Sequence, residues 1–186
     1  MDSRREQFER VAPALVEPVR RYLARRTDPA TAEDVLAETL LVCWRPAEEL
    51  GDHSLPWVYG VARMCLRNAE RSARRQQRLG ARLAAVDPPP ASVPGPGDDG
   101  AGAGAGDDAA TEAVTEALAA MRPEDAELLR LWAWERLTPA EIATVLGISA
   151  NAAHSRLHRA RRRLAERLRK DPAAAGHEES TEGRRS

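Results

Sequence analysis

The stretch Thr138–Leu168, TPAEIATVLGISANAAHSRLHRARRRLAERL, decides how this chain is read. Thr138 is an N-cap residue, Pro139 suits the first helical turn, and Glu141 completes a Thr-x-x-Glu capping box. Gly147 falls where the helix must stop and the backbone turn left-handed. Ser149 then caps a second helix whose inward positions, Ala153, Leu157, Leu164 and Leu168, keep helical spacing. Helix, short glycine turn and second helix, with small Ala143 and Ala153 where the two must approach, is a helix-turn-helix pattern. On the other side of the second helix lie Asn151, Ala152, Ser155, Arg156 and Arg159, at the end that enters a major groove. Asn and Arg read base edges bidentately, while Ser155 and the later arginines suit phosphates.

Ser155–Leu164 alone holds five arginines and a histidine, in a chain of 186 residues with a formal net charge of -1. The contradiction resolves by segment. Residues 87–110, DPPPASVPGPGDDGAGAGAGDDAA, carry no basic group and five acids, without helical or strand period. This is a flexible linker, with ends about 25 to 30 Å apart as a free coil. Residues 1–86 hold 15 basic and 12 acidic groups and residues 111–170 hold 11 and 8, so each flank is net +3. Linker and tail mask two positive domains, 1–86 and 111–170; residues 171–186 read as a disordered polar tail.

In the first flank three helices are expected. One runs from about Arg5 to Arg26, with Val11, Leu15, Val19, Tyr22 and Leu23 inward. Another starts at Thr31, where TAED resembles a capping box, and runs to about Trp44 with Val35, Leu36, Thr39, Leu40 and Cys43 inward. The third spans roughly Pro56 to Ala84 and buries Trp57, Val58, Val61, Ala62, Cys65 and Leu66. Its arginines at 63, 67, 71, 74, 78 and 82 form one stripe along the helix. Like charges at that spacing repel, and binding a polyanion offsets the repulsion. An anionic membrane surface is the lesser competitor, because the helix lacks an exposed apolar face.

Ala, Leu, Arg and Glu dominate, and aromatic residues make up 4%. The fold class is therefore all-α: two small helical domains joined by the linker, the second containing the helix-turn-helix. No signal peptide and no membrane-spanning run is visible, which implies a cytoplasmic protein. Cys43 and Cys65, without CxxC spacing, read as buried structural thiols. His154 and His158 stand at i,i+4, but no further ligand completes a metal site. With no phosphate loop, nucleophile elbow or paired carboxylates, the expectation is no catalysis, no metal and no cofactor.

The residues resemble a known family. AEDVLAETLLVCWR, LPWVYGVARMCLRNAERSARRQ and LTPAEIATVLGISANAAHSRLHRARRRL are similar, in this order, to the polymerase-binding helix, the minus-ten segment and the minus-thirty-five helix-turn-helix of the extracytoplasmic-function sigma factors of bacterial RNA polymerase. The resemblance covers about residues 8–84 and 111–168. It implies that 1–86 is a region 2 domain and 111–170 a region 4 domain. Asp34, Glu38, Leu41, Trp44 and Arg45 would then dock on the clamp helices of the β′ subunit of core RNA polymerase, with the β subunit a further contact. The loop from Pro46 to Leu55 and the start of the third helix would capture a flipped base. Arg63, Arg67, Asn68, Arg71 and Arg74 would line the minus-ten strand, and Ser149, Asn151, Ala152, Ser155, Arg156 and Arg159 the minus-thirty-five duplex. Asp98, Asp99, Asp107 and Asp108 would fit a polycationic polymerase channel, a plain spacer being the competing reading. The implied partners are core RNA polymerase, promoter DNA and an anti-sigma factor.

Two rivals remain at this point. A helix-turn-helix regulator acting without polymerase needs neither the first flank nor a long acidic linker. A protein-binding helical adaptor would make both arginine stripes incidental.

Overall fold

A computed structural model describes residues 2–51, 53–86 and 108–170. Every regular element among them is helical: α1 (Asp2–Ala24), α2 (Pro29–Trp44), a 3-10 turn (Ala47–Glu49), α3 (Leu55–Val86), α4 (Asp108–Ala119), α5 (Pro123–Ala133), α6 (Pro139–Leu146) and α7 (Ala150–Lys170). Contacts group these into two compact units, α1–α3 with residues 141–148, and α4, α5 and α7.

In the first unit, Leu15, Val19, Tyr22 and Leu23 of α1 are buried together with Val35, Leu36, Thr39 and Cys43 of α2. Val58, Tyr59, Val61, Ala62, Cys65 and Leu66 supply the face of α3. Each fully buried aliphatic side chain contributes about 1.5 to 3 kcal/mol. Thr39, wholly buried, satisfies its hydroxyl by donating to the Val35 carbonyl at 2.7 Å. The Tyr22 and Tyr59 rings meet at 5.1 Å between centroids. The Arg26 guanidinium lies 3.6 Å over the Tyr22 ring and donates to the Tyr22 carbonyl at 2.7 Å. This cation–aromatic stack closes the C-terminal end of α1. Gln7 ties the helix's start to the 3-10 turn by donating to the Leu50 carbonyl at 2.7 Å.

Several sequence expectations need correction. α2 begins two residues earlier than the TAED motif implied, because Asp28 is the N-cap and Pro29 occupies the first turn. The Asp28 carboxylate accepts from the Thr31 amide at 3.0 Å, so Thr31 is the recipient of a cap and not its source. Trp57, expected inward, is 39% exposed, while Tyr59 is buried. At 100° per residue, a face centred on Val58, Ala62 and Cys65 leaves Trp57 on its flank. α1 runs through Pro13 and Pro18, each of which removes a helical hydrogen bond. Burial of the Leu15–Leu23 face holds that helix together. Val11 and Leu40 are half-buried rather than core.

In the second unit Leu118 and Met121, Ala126, Leu128, Leu129 and Leu131, and Ala153, Leu157 and Ala160 are buried. Leu164 and Leu168 are half-buried. α4 starts at Asp108, ahead of the expected Thr111, so 108–110 belong to a helix. The linker reading of 87–107 and the tail reading of 171–186 lie outside the described residues. Both cysteines are buried free thiols, and burial, aided by nearby Cys65, pushes the Cys43 thiol up to about 11. That keeps Cys43 protonated and unreactive near neutral pH.

Candidate nucleic-acid interface

The turn between α6 and α7 is built by hydrogen bonds of the helix end. Gly147 has φ +64°, Ile148 donates to the Ala143 carbonyl at 3.1 Å and Gly147 to Thr144 at 3.4 Å. That pair of bonds is a Schellman motif, and its left-handed residue is the reason for glycine at 147. Ser149 accepts from the Ala152 amide on its Oγ at 3.2 Å and starts α7. Ala143 and Ala153 are both buried.

From this start α7 presents Ser149, Asn151, Ser155, Arg156 and Arg159 to solvent; Ala152 is half-buried, less outward than expected. Arg156 and Arg159 have no ion pair among the described residues. The next three arginines are held within the unit. Arg161 stacks over the Trp132 ring at 4.4 Å, Arg162 pairs with Glu166 at 3.4 Å, and Arg163 pairs with Asp125. One continuous basic run thus divides into an uncommitted part, at the N-terminal half of the helix, and a committed part behind it. Only the Arg162–Glu166 pair follows from local spacing, at i,i+4; Trp132 and Asp125 come from α5.

On α3, Arg67, Asn68, Arg71 and Arg74 are exposed and Arg63 is half-buried. Arg71 donates to the Asn68 side-chain carbonyl, and Arg74 lies 3.8 Å from Glu70. Arg63, Arg67, Arg75, Arg78 and Arg82 have no ion pair among the described residues. The stripe is a largely solvent-facing cationic row, and within residues 63–82 the single acid is Glu70. The adjoining loop holds its shape by the Gly51 amide donating to Ser54 Oγ at 2.9 Å; residue 52 lies outside the described residues.

α2 offers a surface of another kind. Asp34, Glu38, Leu41 and Arg45 follow each other by 4, 3 and 4 residues, and all are exposed. Leu41 is 71% exposed, and Trp44, 37% exposed, rests its ring edge-on against Phe8 at 5.2 Å. Leu41 and Trp44 thus leave apolar side-chain surface open on the outward side of α2. Asp34 and Glu38 also border a groove of about 310 Å³ whose rim includes Asp28 and Glu70. The candidate residues therefore fall on three helices, α2, α3 and α7.

A family profile described as "Sigma-70, region 4" matches residues 111–164. The ECF RNA polymerase sigma factor SigL of Mycobacterium tuberculosis, in three strains, is 33% identical over 148 residues, covering 77% of this chain and 78% of the relative. Two solved structures share the fold. The sigma factor RpoE of Bartonella quintana, in a co-crystal with the anti-sigma factor NepR, has a TM-score of 0.51 at 21% identity over 90% of this chain and 97% of its own. CnrH, in complex with the cytosolic domain of CnrY, has a TM-score of 0.50 at 20% identity over 90% and 88%. With one third of its residues identical across more than three quarters of its length, the chain belongs to the extracytoplasmic-function (ECF) sigma factors.

Proposed function

We propose that this chain is an alternative sigma factor: it binds core RNA polymerase, places it at a small set of promoters and helps open the minus-ten region. It acts in the cytoplasm as a non-catalytic subunit. No helix among the described residues is long and apolar enough to cross a membrane. The observation that carries the reading is the coexistence, in a family member, of two uncommitted arginine rows and a separate exposed surface on α2. A DNA regulator acting alone has no use for the last.

In this reading 1–86 is the region 2 domain and 111–170 the region 4 domain. Leu41 and Trp44 supply the apolar centre of the contact with the β′ clamp helices, and Asp34, Glu38 and Arg45 its charged rim. Arg63, Arg67, Asn68, Arg71 and Arg74 track the minus-ten strand. Strand opening is driven by binding energy spent on an unstacked base, with no covalent chemistry. Ser149, Asn151, Ala152, Ser155, Arg156 and Arg159 meet the minus-thirty-five duplex. Both structural neighbours carry a protein partner, one named an anti-sigma factor, which supports an anti-sigma partner for this chain as well.

The test is co-elution with core RNA polymerase on a sizing column, beside a variant with Asp34, Trp44 and Arg45 replaced by alanine. Binding by the wild type and its loss in the folded variant is the expected result. A wild-type protein that is folded yet elutes alone would leave the helix-turn-helix as its only supported activity.

A further inference from the structure

Among the described residues a positive φ occurs at two places, Gly147 at +64° and Arg136 at +55°. At Gly147 the left-handed turn is unstrained, because glycine has no Cβ. At Arg136 the same conformation sets Cβ against the following carbonyl, and a bulky side chain there is a genuine outlier. The turn itself is needed. It follows the end of α5, the Leu137 amide donates across it to the Leu131 carbonyl at 3.1 Å, and Leu137 returns to the core at 6% exposure. Glycine would make that turn without strain. An arginine in its place calls for a reason outside the backbone.

Packing within the unit supplies none. The Arg136 side chain is exposed and has no ion pair or ring contact among the described residues. Its neighbours differ: the Arg130 guanidinium lies 5.8 Å over the Trp134 ring, and Glu135 is partnered. Backbone strain that the fold does not use, under a side chain that nothing in the fold holds, is the pattern of a residue kept for a ligand.

We propose that Arg136 grips a backbone phosphate of the duplex whose major groove α7 enters. The inference rests on the duplex reading of α6 and α7, and adds a contact outside the set Ser149 to Arg159. In a helix-turn-helix the first helix crosses the sugar-phosphate backbone while the second reads the bases. Here α6 is that first helix, and Arg136 stands three residues before Pro139, where α6 begins. Three extended residues span about 10 Å at most, so the guanidinium belongs to the same end of α6 that meets the strand. A planar guanidinium matches two phosphate oxygens at once. Such a contact fixes the protein on the duplex and carries no sequence information, so it acts on every duplex alike.

The experiment follows binding of the full chain to a random-sequence DNA duplex by fluorescence anisotropy, from about 50 to 200 mM salt. Arg136→Gly is expected to bind about three- to tenfold more weakly at the low end, and to reduce the slope of log K against log salt by about 0.9, the share of one phosphate. Arg122→Ala removes another exposed cation without an ion pair among the described residues, at the opposite end of α5, and should leave the slope unchanged. The Arg136→Gly protein should also melt no lower than the wild type, and up to about 5 °C higher as the strain is released. An unchanged slope in Arg136→Gly, an equal fall in Arg122→Ala, or a lower Tm in Arg136→Gly would overturn the assignment. The first result removes the phosphate contact, the second reduces Arg136 to general surface charge, and the third makes its side chain part of the fold. A folded wild type without salt-dependent duplex binding would overturn the duplex reading and this inference with it, whereas wild-type binding that ignores Arg136 overturns this inference alone.

Discussion

The arginine rows of α3 and α7 look alike in composition and differ in what holds them. On α3, exposed arginines recur every three or four residues and one acid, Glu70, stands at 3.8 Å from one of them. On α7 a Trp, a Glu and an Asp each take one arginine of the triplet 161–163, and Arg156 and Arg159 are left over. Counting charge makes the triplet the most basic point of the molecule. Counting partners makes it structural, and moves the interface half a helix towards Ser149. Charge alone does not separate these arginines; the partners they have among the described residues do.

The largest effect expected from this contrast is on duplex binding. Replacing Arg156 and Arg159 together with alanine should weaken minus-thirty-five duplex binding about 100-fold, from roughly 1 to 3 kcal/mol per contact, and flatten its salt dependence. Fluorescence anisotropy across a salt series measures both. Replacing Arg161 and Arg162 should change affinity less than threefold; a loss equal to the first would erase the division of α7. Next in size is α3. Arg67→Ala with Arg71→Ala should lower affinity for a single-stranded minus-ten oligonucleotide about tenfold and leave the duplex contact unchanged. If duplex binding fell equally, the two rows would not be separate surfaces.

How much of this was legible in sequence depended on whether the cause was local. The helix-turn-helix was readable because its signals, Gly147 and Ser149, act within a few residues. The all-helical class followed from composition, and the α3 stripe from spacing. What escaped depended on groups far apart in the chain. The Tyr22–Tyr59 contact joins α1 to α3, and the Arg163–Asp125 pair spans 38 residues. The start of α2 was misread for a local reason: Asp28-Pro29 and TAED both offer a cap within four residues, and the proline's fixed φ favours the earlier one.

A smaller effect concerns stability within the second unit. Asp125 is 15% exposed on its side chain and faces Arg163 at 47%. Arg163→Ala leaves that carboxylate poorly compensated and should cost about 1 kcal/mol after solvent screening. Arg162→Ala, removing a pair whose partners are 70% and 50% exposed, should cost under about 0.5 kcal/mol. Urea unfolding of the two variants compares them directly. Equal costs would mean that Asp125 does not distinguish the committed arginines.

The smallest effect separates the two units by pH. α2 is capped by an ionisable residue, Asp28, and α7 by a hydroxyl, Ser149. Hydrogen bonds from Thr31, its hydroxyl first and then its amide, hold the Asp28 carboxyl below the ordinary aspartate range. A folded-state value below the unfolded one means the stabilisation is complete above the unfolded value, about 3.9, and is lost as pH falls through the folded value. Asp28→Asn keeps a capping oxygen and removes the titration. Thermal melts from pH 6 down to pH 3 should therefore decline less steeply in the variant, with the two proteins nearly equal at the acid end. An unchanged slope would show that the cap works through geometry alone, and that the first unit gains no acid sensitivity from it that the second lacks.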